Sequence, residues 1–469
     1  MLKIYNSLTK KKEKFNPEQK GVIKMYTCGV TVYDDCHIGH ARSLCVFDVI
    51  RRYLEFRRYK VDFIRNITDI DDKIINRAKQ LGVSWKELSD KYIKRYKKDL
   101  ESLELEPVGF EPKATENIKA MIDYIHQLVN KGFAYVTDTG VYFEVRKFKQ
   151  YGKLSGQKID DIRSSVRIES DENKKDPLDF ALWKNAKESE PSWDSPWGKG
   201  RPGWHIECSV MSQKYLDTET LDIHGGGRDL IFPHHENEIA QAESLSGKNF
   251  ANYWLHHGLL TINLQKMSKS LGNFVKISQV LDKYPADILK FFYFQAHYSS
   301  SVDFSWQKME EAKKAYEHIK ILKEKLENYL DKKNILKVSA SKTSSNGQGY
   351  QESFINAMDD DFNMPKGLAV LFDLAGQANK VLVSDDKDKD KKLMTYKLTL
   401  DQITGVFGFS FLKKKLTGTS KEKIDELIAL RNQYRKEKQF DKSDQIRSQL
   451  LAKGVVLEDT KEGTIWRRK

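Results

Sequence analysis

The 469-residue chain carries 80 basic against 67 acidic residues, a formal charge of +13, and only four cysteines, at 28, 36, 45 and 208. That length excludes a single hydrophobic core and calls for three or four domains, while the cysteine usage excludes a disulfide framework. No apolar run approaches the ~18–20 residues of a membrane span and no apolar N-terminal segment marks a leader, so a cytoplasmic protein is expected. The positive balance favours a polyanionic partner, with solvated lysine-rich helices as the alternative.

Residues 1 to about 25 read as edge strands leading into a sheet. Residues 22–26 are short and apolar, as in a buried strand, and 43–59 carry Leu44, Phe47, Ile50 and Leu54 at helical spacing. Between them, 26–43 is a loop from strand to helix, where open α/β sheets bind ligands. His37 and His40, three apart at the helix start, can face one side. Free N–H groups and the positive dipole end suit a phosphate there. With Cys28 on the strand side, the pattern points to a nucleotide site beside a thiol-ligated metal.

Residues 61–66 form the next strand, and the acidic run 69–72 opens a helix. Ser84 and Glu87 form a capping box for a helix reaching about Leu103. Another helix fits 115–131, ending before Gly132. From about 134 to 197 the pattern changes. Residues 141–143 are a short strand, and 155–176 is polar, charged and poor in apolar residues, hence a mobile surface loop. An insertion of about 115–200 thus divides the sheet into two halves. Residues 221–224 return to strand and meet Gly225-Gly226-Gly227, which permit either close approach to a ligand or a tight turn. Residues 233–245 start like a helix with Pro233 at its first position. Trp306, Met309, Tyr316, Ile319, Leu322 and Leu326 mark an amphipathic helix. Residues 337–352 and 385–392 read as loops within a helical bundle. From about 421, two helices precede a hairpin, 455–457 and 464–466, closed around Gly463.

The His37-Ile38-Gly39-His40 stretch has a distant counterpart in Lys266-Met267-Ser268-Lys269-Ser270. Together they resemble the paired signatures of class I aminoacyl-tRNA synthetases. With Cys28, Gly203-Trp204-His205-Ile206-Glu207-Cys208 and His234-His235-Glu236-Asn237-Glu238, the resemblance narrows, nearly end to end, to the cysteinyl-tRNA synthetase family. It implies ATP-dependent activation of L-cysteine to the adenylate and transfer to the 3′-terminal adenosine of tRNA(Cys). The implied fold is α/β: a Rossmann-like parallel-sheet catalytic domain with an insertion, then a helical bundle and a small mixed α/β C-terminal domain. The corresponding segments are 1–114 and 201–258 for the catalytic halves, 115–200 for the connective insertion, and 259–305 for a junction carrying the second signature. A tRNA-binding bundle follows over 306–419 and an anticodon-binding domain over 420–469.

His234 and Glu238, i and i+4, share a helical face from which His235 turns about 100° away. The resemblance implies that Cys28, Cys208, His234 and Glu238 hold one Zn²⁺, and that Gly29, Thr68, Trp204 and His224 complete the cysteine pocket. Shape separates cysteine from serine poorly, whereas a thiolate-rich ion prefers sulfur to a hydroxyl. For ATP, His37 and His40 are expected at the α-phosphate, Asp229 at the ribose hydroxyls and Lys266 and Lys269 over the pyrophosphate, and the resemblance adds Gly39 and Gly226 to the ATP-binding residues. Mg²⁺ would accompany ATP, its protein ligands unidentified. The substrate carboxylate is already a nucleophile, so the work is positioning and charge neutralisation. Arg435, Asp444 and Asp459 are candidates for anticodon contacts, with ordinary surface charge as the alternative. Cys45 reads as core and Cys36 as a bystander. A monomer follows by resemblance alone. The competing readings are a cysteine ligase acting on a small amine, and a non-catalytic, zinc-stabilised RNA-binding protein.

Overall fold

The computed structural model describes residues 1–159, 173–267, 272–333, 345–411, 421–452, 455–460 and 463–468. Lys269 and Ser270, most of the polar 155–176 stretch and residues 337–344 lie outside them. The chain divides into two compact units, Met1–Ser305 with Met358–Asn363, and Trp306–Ala357 with Met364–Lys469.

The first unit opens with strands β1 (Lys3–Asn6) and β2 (Lys11–Lys14), paired antiparallel with each other. They form their own hairpin instead of extending the main sheet, as the sequence had led one to expect. The Lys-Lys-Glu-Lys run of β2 has no apolar face to bury. The main sheet is built from β3 (Val22–Thr31) and β4 (Lys60–Thr68), joined by helix α1 (Ile38–Phe56). Helices α2 (Asp72–Leu81), α3 (Trp85–Ser102) and α4 (Ile118–Asn130) follow. Ser84 and Glu87 make the expected reciprocal cap at α3.

The insertion is an antiparallel sheet of β5 (Ala134–Thr137), β6 (Gly140–Phe143), β7 (Phe180–Asn185) and β8 (Gly200–Pro202). The polar stretch is anchored at both described ends: Ser155 N donates to Glu236 at 2.8 Å, and buried Asp176 accepts from Arg146 at 2.6 Å. Helix α5 (Trp204–Leu216), β9 (Leu221–Gly227), α6 (Glu236–Ser246) and β10 (Ala251–His257) complete the sheet. Its order is β10-β9-β3-β4, all parallel. Every residue of β9 is buried, as a parallel sheet covered on both faces requires.

Three local expectations change. The loop expected over 26–43 shrinks to 32–37, because pairing with β4 carries β3 through Thr31. The three glycines extend β9 rather than forming a turn. A Cβ on Gly225 would lie 2.3 Å from the Phe47 ring, so the glycine lets α1 pack onto the sheet. There α1 buries Leu44, Phe47, Ile50 and Leu54, each worth about 1.5–3 kcal/mol. Gly225→Ala would overpack this contact, at a cost of about 1–3 kcal/mol. Finally, the helical run expected from Pro233 does start there, after extended Phe232, but its first residues, Pro233–His235, belong to a wider π-type turn and the regular α6 begins at Glu236. Phe232, restricted to extended backbone by the proline after it, interrupts the turn over Ile231–His235, and the Phe232–Pro233 bond is cis.

After the sheet come β11 (Leu260–Ile262), β12 (Gln265–Lys266), helices α7 (Ile277–Leu281) and α8 (Ala286–Phe294), and β13 (Val302–Phe304), with strand order β12-β11-β13.

The second unit contains α9 (Trp306–Lys332), α10 (Ser345–Asp359), α11 (Met364–Leu382) and α12 (Lys389–Val406). On α9, Met309, Tyr316, Ile319, Leu322 and Leu326 are buried. Residues 345–352, expected as loop, are helical. Fully buried Phe354, 5.8 Å from the Phe407 ring, holds α10 in place despite its weak helix formers. Helices α13 (Lys421–Lys436) and α14 (Phe440–Ala452) pack with hairpin strands β14 (Val455–Thr460) and β15 (Gly463–Arg468) around Ile424, Ile428, Ile446, Leu450, Val455 and Leu457. Among the described residues, no helix is long and apolar enough to cross a membrane.

Candidate active site

A cleft of about 460 Å³ opens at the carboxyl ends of β3, β9 and β10, and Cys28, Gly29, His37, Trp204 and Asp229 are among its lining residues. This is where an open α/β sheet places its ligand. The start of α1 forms one wall. His37 is its N-cap and accepts from Gly39 N at 3.0 Å and His40 N at 3.3 Å. His40 Nδ1 accepts from His37 N at 3.2 Å, and the rings stack 3.7 Å apart. Both Nδ1 atoms are acceptors, so each ring carries its proton on Nε2. Burial, then the neighbouring His37 imidazole, pushes His40 well below the usual imidazole range. It is a neutral donor rather than a cation.

The two signature segments meet here. Ile38 N donates to Val275 O and Ile277 N to Cys36 O, both at 3.1 Å. Met267 lines the cleft and reaches Gly39, where a Cβ would lie 3.4 Å from its methyl carbon. Lys266 is the last residue of β12. Asp229 is exposed on the cleft wall. Gly227 also lines the cleft, whereas a Cβ on Gly226 would point into the His235 ring at 2.7 Å.

Behind Cys28 lies a buried cluster. The ligand atoms of Cys28, Cys208, His234 and Glu238 are all within 4.8 Å of one another. His234 Nε2 is 2.8 Å from Glu238 Oε1 and 3.5 Å from Cys208 Sγ, and Cys28 Sγ is 3.4 Å from Glu238 Oε1. Two thiols, an imidazole and a carboxylate fit a thiophilic divalent ion. Burial opposes charge on all four groups. Even so, Glu238 and Cys208 hold His234 up at about 10, while His224 and His234 hold Glu238 well below the usual carboxylate range. Cys208 comes down to about 6 through Cys28 and His234, whereas burial pushes Cys28 up. Cys36 and Cys45 are buried thiols whose pKa burial raises, Cys45 to about 12.

His235 does not turn away from this cluster. Its Nε2 is 3.2 Å from Cys28 Sγ, because Cys28 sits where both rings of the His234–His235 pair can reach it. A second set, Cys28, His224, His235 and Glu238, is therefore also within 4.8 Å. Of the residues expected in the cysteine pocket, Gly29 and Trp204 line the cleft, and Trp204 stacks on His234 at 4.0 Å. His224 is fully buried, 2.6 Å from Glu238 Oε2, and Thr68 is buried with its hydroxyl donating to Glu207.

Several residues carried no local signal. Asn66 reaches the cluster from β4 across to Gly29 on β3, and Glu207 reaches it from α5 through Thr68. Lys73, 5.9 Å from the Tyr33 and Trp204 ring centroids, brings an ammonium to the cleft.

Among the anticodon candidates, Asp459 is committed internally. It pairs with nearly buried Arg431 through two bonds of 2.8 Å and with Arg435 at 2.8 Å. Asp444 is exposed on α14.

The fold is similar to that of solved synthetases. One is Mycobacterium tuberculosis methionyl-tRNA synthetase in complex with methionyl-adenylate (TM-score 0.63, 15% identity, 82% of this chain and 90% of that chain). Another is an Agrobacterium radiobacter K84 LeuRS in a ternary complex with tRNA and LeuAMS (TM-score 0.64, 10% identity, 85% and 86%). The architecture is that of a class I aminoacyl-tRNA synthetase. The family model "tRNA synthetases class I (C) catalytic domain" matches residues 14–314, "DALR domain" 353–412 and "Cysteinyl-tRNA ligase anticodon binding domain" 418–467. Cysteine–tRNA ligase of Persephonella marina is 49% identical over 494 aligned positions, covering 100% of both chains. That of Sulfurihydrogenibium sp. is 51% identical, covering 100% of this chain and 99% of its own. The chain belongs to the cysteine–tRNA ligase family.

Proposed function

We infer that the chain is an enzyme that activates L-cysteine with ATP and joins it to tRNA(Cys). The observation that carries this reading is the convergence of a thiol-rich donor set and the His37–His40 helix end on one cleft. In the first step the cysteine carboxylate attacks the α-phosphate and pyrophosphate leaves. No general base is needed; the site positions the reactants and neutralises charge. The Nε2–H donors of His37 and His40, with the α1 dipole behind them, stabilise charge growing on the α-phosphate. Asp229 accepts from the ribose hydroxyls, and Gly39 gives ATP close access to the helix end. Lys266 and Lys269 cover the departing pyrophosphate, a role assigned from the signature itself.

Held by Cys28, Cys208, His234 and Glu238, Zn²⁺ would supply a soft Lewis acid that takes a thiolate and rejects a hydroxyl. Trp204 braces the His234 ring and Gly29 leaves room beside Cys28. Thr68 and His224 support the pocket from behind. Mg²⁺ enters with ATP. In the second step a hydroxyl of the tRNA's terminal adenosine takes the cysteinyl group. The net positive charge favours the tRNA backbone, and residues 418–467 supply the anticodon module. The chain acts as a monomer in the cytoplasm. The amine-ligase alternative lacks a use for that module, and the non-catalytic alternative lacks one for the His37–His40 pair.

Cysteine-dependent charging of a tRNA mixture, with serine as control, tests the whole reading. Charging with cysteine alone is expected. Cysteine-dependent pyrophosphate exchange without tRNA charging would favour the amine ligase, and no exchange would favour the non-catalytic reading.

A further inference from the structure

Between Thr27 and Val30 the β3–β4 register slips: Thr27 pairs with Arg65 and Val30 with Ile67, so Cys28 and Gly29 together oppose Asn66. A bulge of this kind bends a strand and re-aims a side chain. Here it falls on Cys28, which lines the cleft and belongs to the four-residue donor set. A bulge also takes a backbone group out of the ladder. Gly29 N–H donates instead to Asn66 Oδ1 at 2.7 Å. The fit is tight, since a Cβ on Gly29 would lie 1.5 Å from the Asn66 carbonyl oxygen. The same Oδ1 lies 3.8 Å from Cys208 Sγ. One amide oxygen thus touches both the bulge bearing one thiol and the second thiol itself.

The other end of the amide sets its orientation. Asn66 Nδ2 donates to Thr68 Oγ1 at 3.2 Å, and Thr68 donates to Glu207 Oε2 at 2.6 Å. Asn66 and Glu207 are each 1% exposed. The amide cannot flip without setting Nδ2 against the Gly29 N–H and Oδ1 against a hydroxyl whose proton is already given to Glu207.

We propose that Asn66 is the positioning residue of the metal-binding set. Its amide oxygen holds the Cys28–Gly29 bulge and orients Cys208, so it governs cysteine selection without touching the substrate. This rests on Cys28, Cys208, His234 and Glu238 being the set that takes the metal. Groups that orient metal ligands typically contribute 10–100-fold to metal affinity.

Asn66→Ala and Asn66→Asp in the full chain test this. Hydrogen exchange of the peptide containing Gly29, in metal-free protein, reads the bulge. Co²⁺ titration reads affinity and the thiolate-to-metal absorption band. Pyrophosphate exchange reads the KM for cysteine and for ATP separately. Asn66→Ala is expected to speed Gly29 exchange, weaken Co²⁺ binding about 10–100-fold, change the absorption band, and raise the KM for cysteine but not for ATP. Asn66→Asp keeps an acceptor for Gly29 N–H, and its second oxygen is accommodated if the Thr68 hydroxyl donates to it in place of Glu207, so this variant is expected to preserve both slow exchange and the two-thiolate band. Parental Co²⁺ affinity and spectrum in folded Asn66→Ala would overturn the proposal. So would loss of the band in Asn66→Asp with Gly29 still protected, and this variant decides alone if Asn66→Ala does not fold. If the parent protein shows no thiolate-to-cobalt band, the ligand assignment fails instead. The bulge is then judged by Gly29 exchange, where equal rates in the parent and Asn66→Ala overturn Asn66's part.

Discussion

His37 and His40 cap the same helix reciprocally: the Nδ1 of each accepts from the backbone N–H of the other, at 3.3 and 3.2 Å. The pairing satisfies donors that a helix start leaves open and fixes both tautomers with the proton on Nε2. Each residue thus has a structural task and a chemical one, carried by different atoms of the ring.

The two tasks separate by substitution. Asn is a strong N-cap, so His37→Asn should melt close to the parent. Without the Nε2 donor, its adenylate formation should fall roughly a hundredfold. His37→Ala should show the same loss and also forfeit about 1 kcal/mol of stability. Thermal melts and ATP–pyrophosphate exchange give the comparison; parental exchange in His37→Asn would reduce the residue to a cap.

Glu238 divides its oxygens between two imidazoles, Oε1 to His234 at 2.8 Å and Oε2 to His224 at 2.6 Å. In Glu238→Gln one of those positions becomes an NH₂, and the remaining oxygen is a neutral, poorer ligand. Bound metal should weaken but persist. Cys208→Ser, which exchanges a thiolate for a hydroxyl, should lose far more. Cysteine activation should track metal content in both. In the cobalt-substituted parent, cysteine should add a thiolate-to-metal band and serine none. A spectrum indifferent to cysteine would make the site purely structural.

Acid should destabilise the first unit through its buried histidines. Burial lowers His257 to about 4 and His256 to about 3, against about 6.5 in the unfolded chain. Below about pH 6.5 the unfolded state binds more protons, so stability falls with pH until the folded groups also titrate. Each histidine contributes about 1.4 kcal/mol per pH unit over that window. At about pH 5.5, His257→Gln should reduce proton uptake on unfolding by about one. Calorimetry in two buffers of different ionisation enthalpy measures it, and unchanged uptake would show that His257 is protonated in the folded chain.

The C-terminal hairpin offers a choice between reading RNA and holding the fold. Hydrogen bonding to Arg431 keeps the Asp459 carboxyl well below its ordinary range. Asp459→Asn would leave the Arg431 guanidinium poorly compensated. The expected cost is about 1–3 kcal/mol, less than for a fully buried pair because the Asp459 side chain is 35% exposed. Faster hydrogen exchange across α13 and the hairpin should report it. Arg435→Ala should change stability by no more than about 0.5 kcal/mol and act on anticodon discrimination alone. Altered discrimination in Asp459→Asn at full stability would return Asp459 to the base-reading set.

The sequence by itself determined what depends on residue type and near neighbours. The amphipathic period of α9, the Ser84–Glu87 cap, the C-terminal hairpin and the two signatures were legible because their forces act over one or two turns of chain. Tertiary structure decided the rest. Whether Gly225–Gly227 turn or stay extended depends on pairing with Leu255, His256 and His257 of β10. Whether residues 345–352 are loop or helix depends on burying Phe354. The Gly29 N–H beside Cys28 finds its acceptor on Asn66, 37 positions away, and the meeting of Cys28 with His235 spans 207. Local propensity is silent on such contacts, because their free energy exists only once the sheet has brought the groups together.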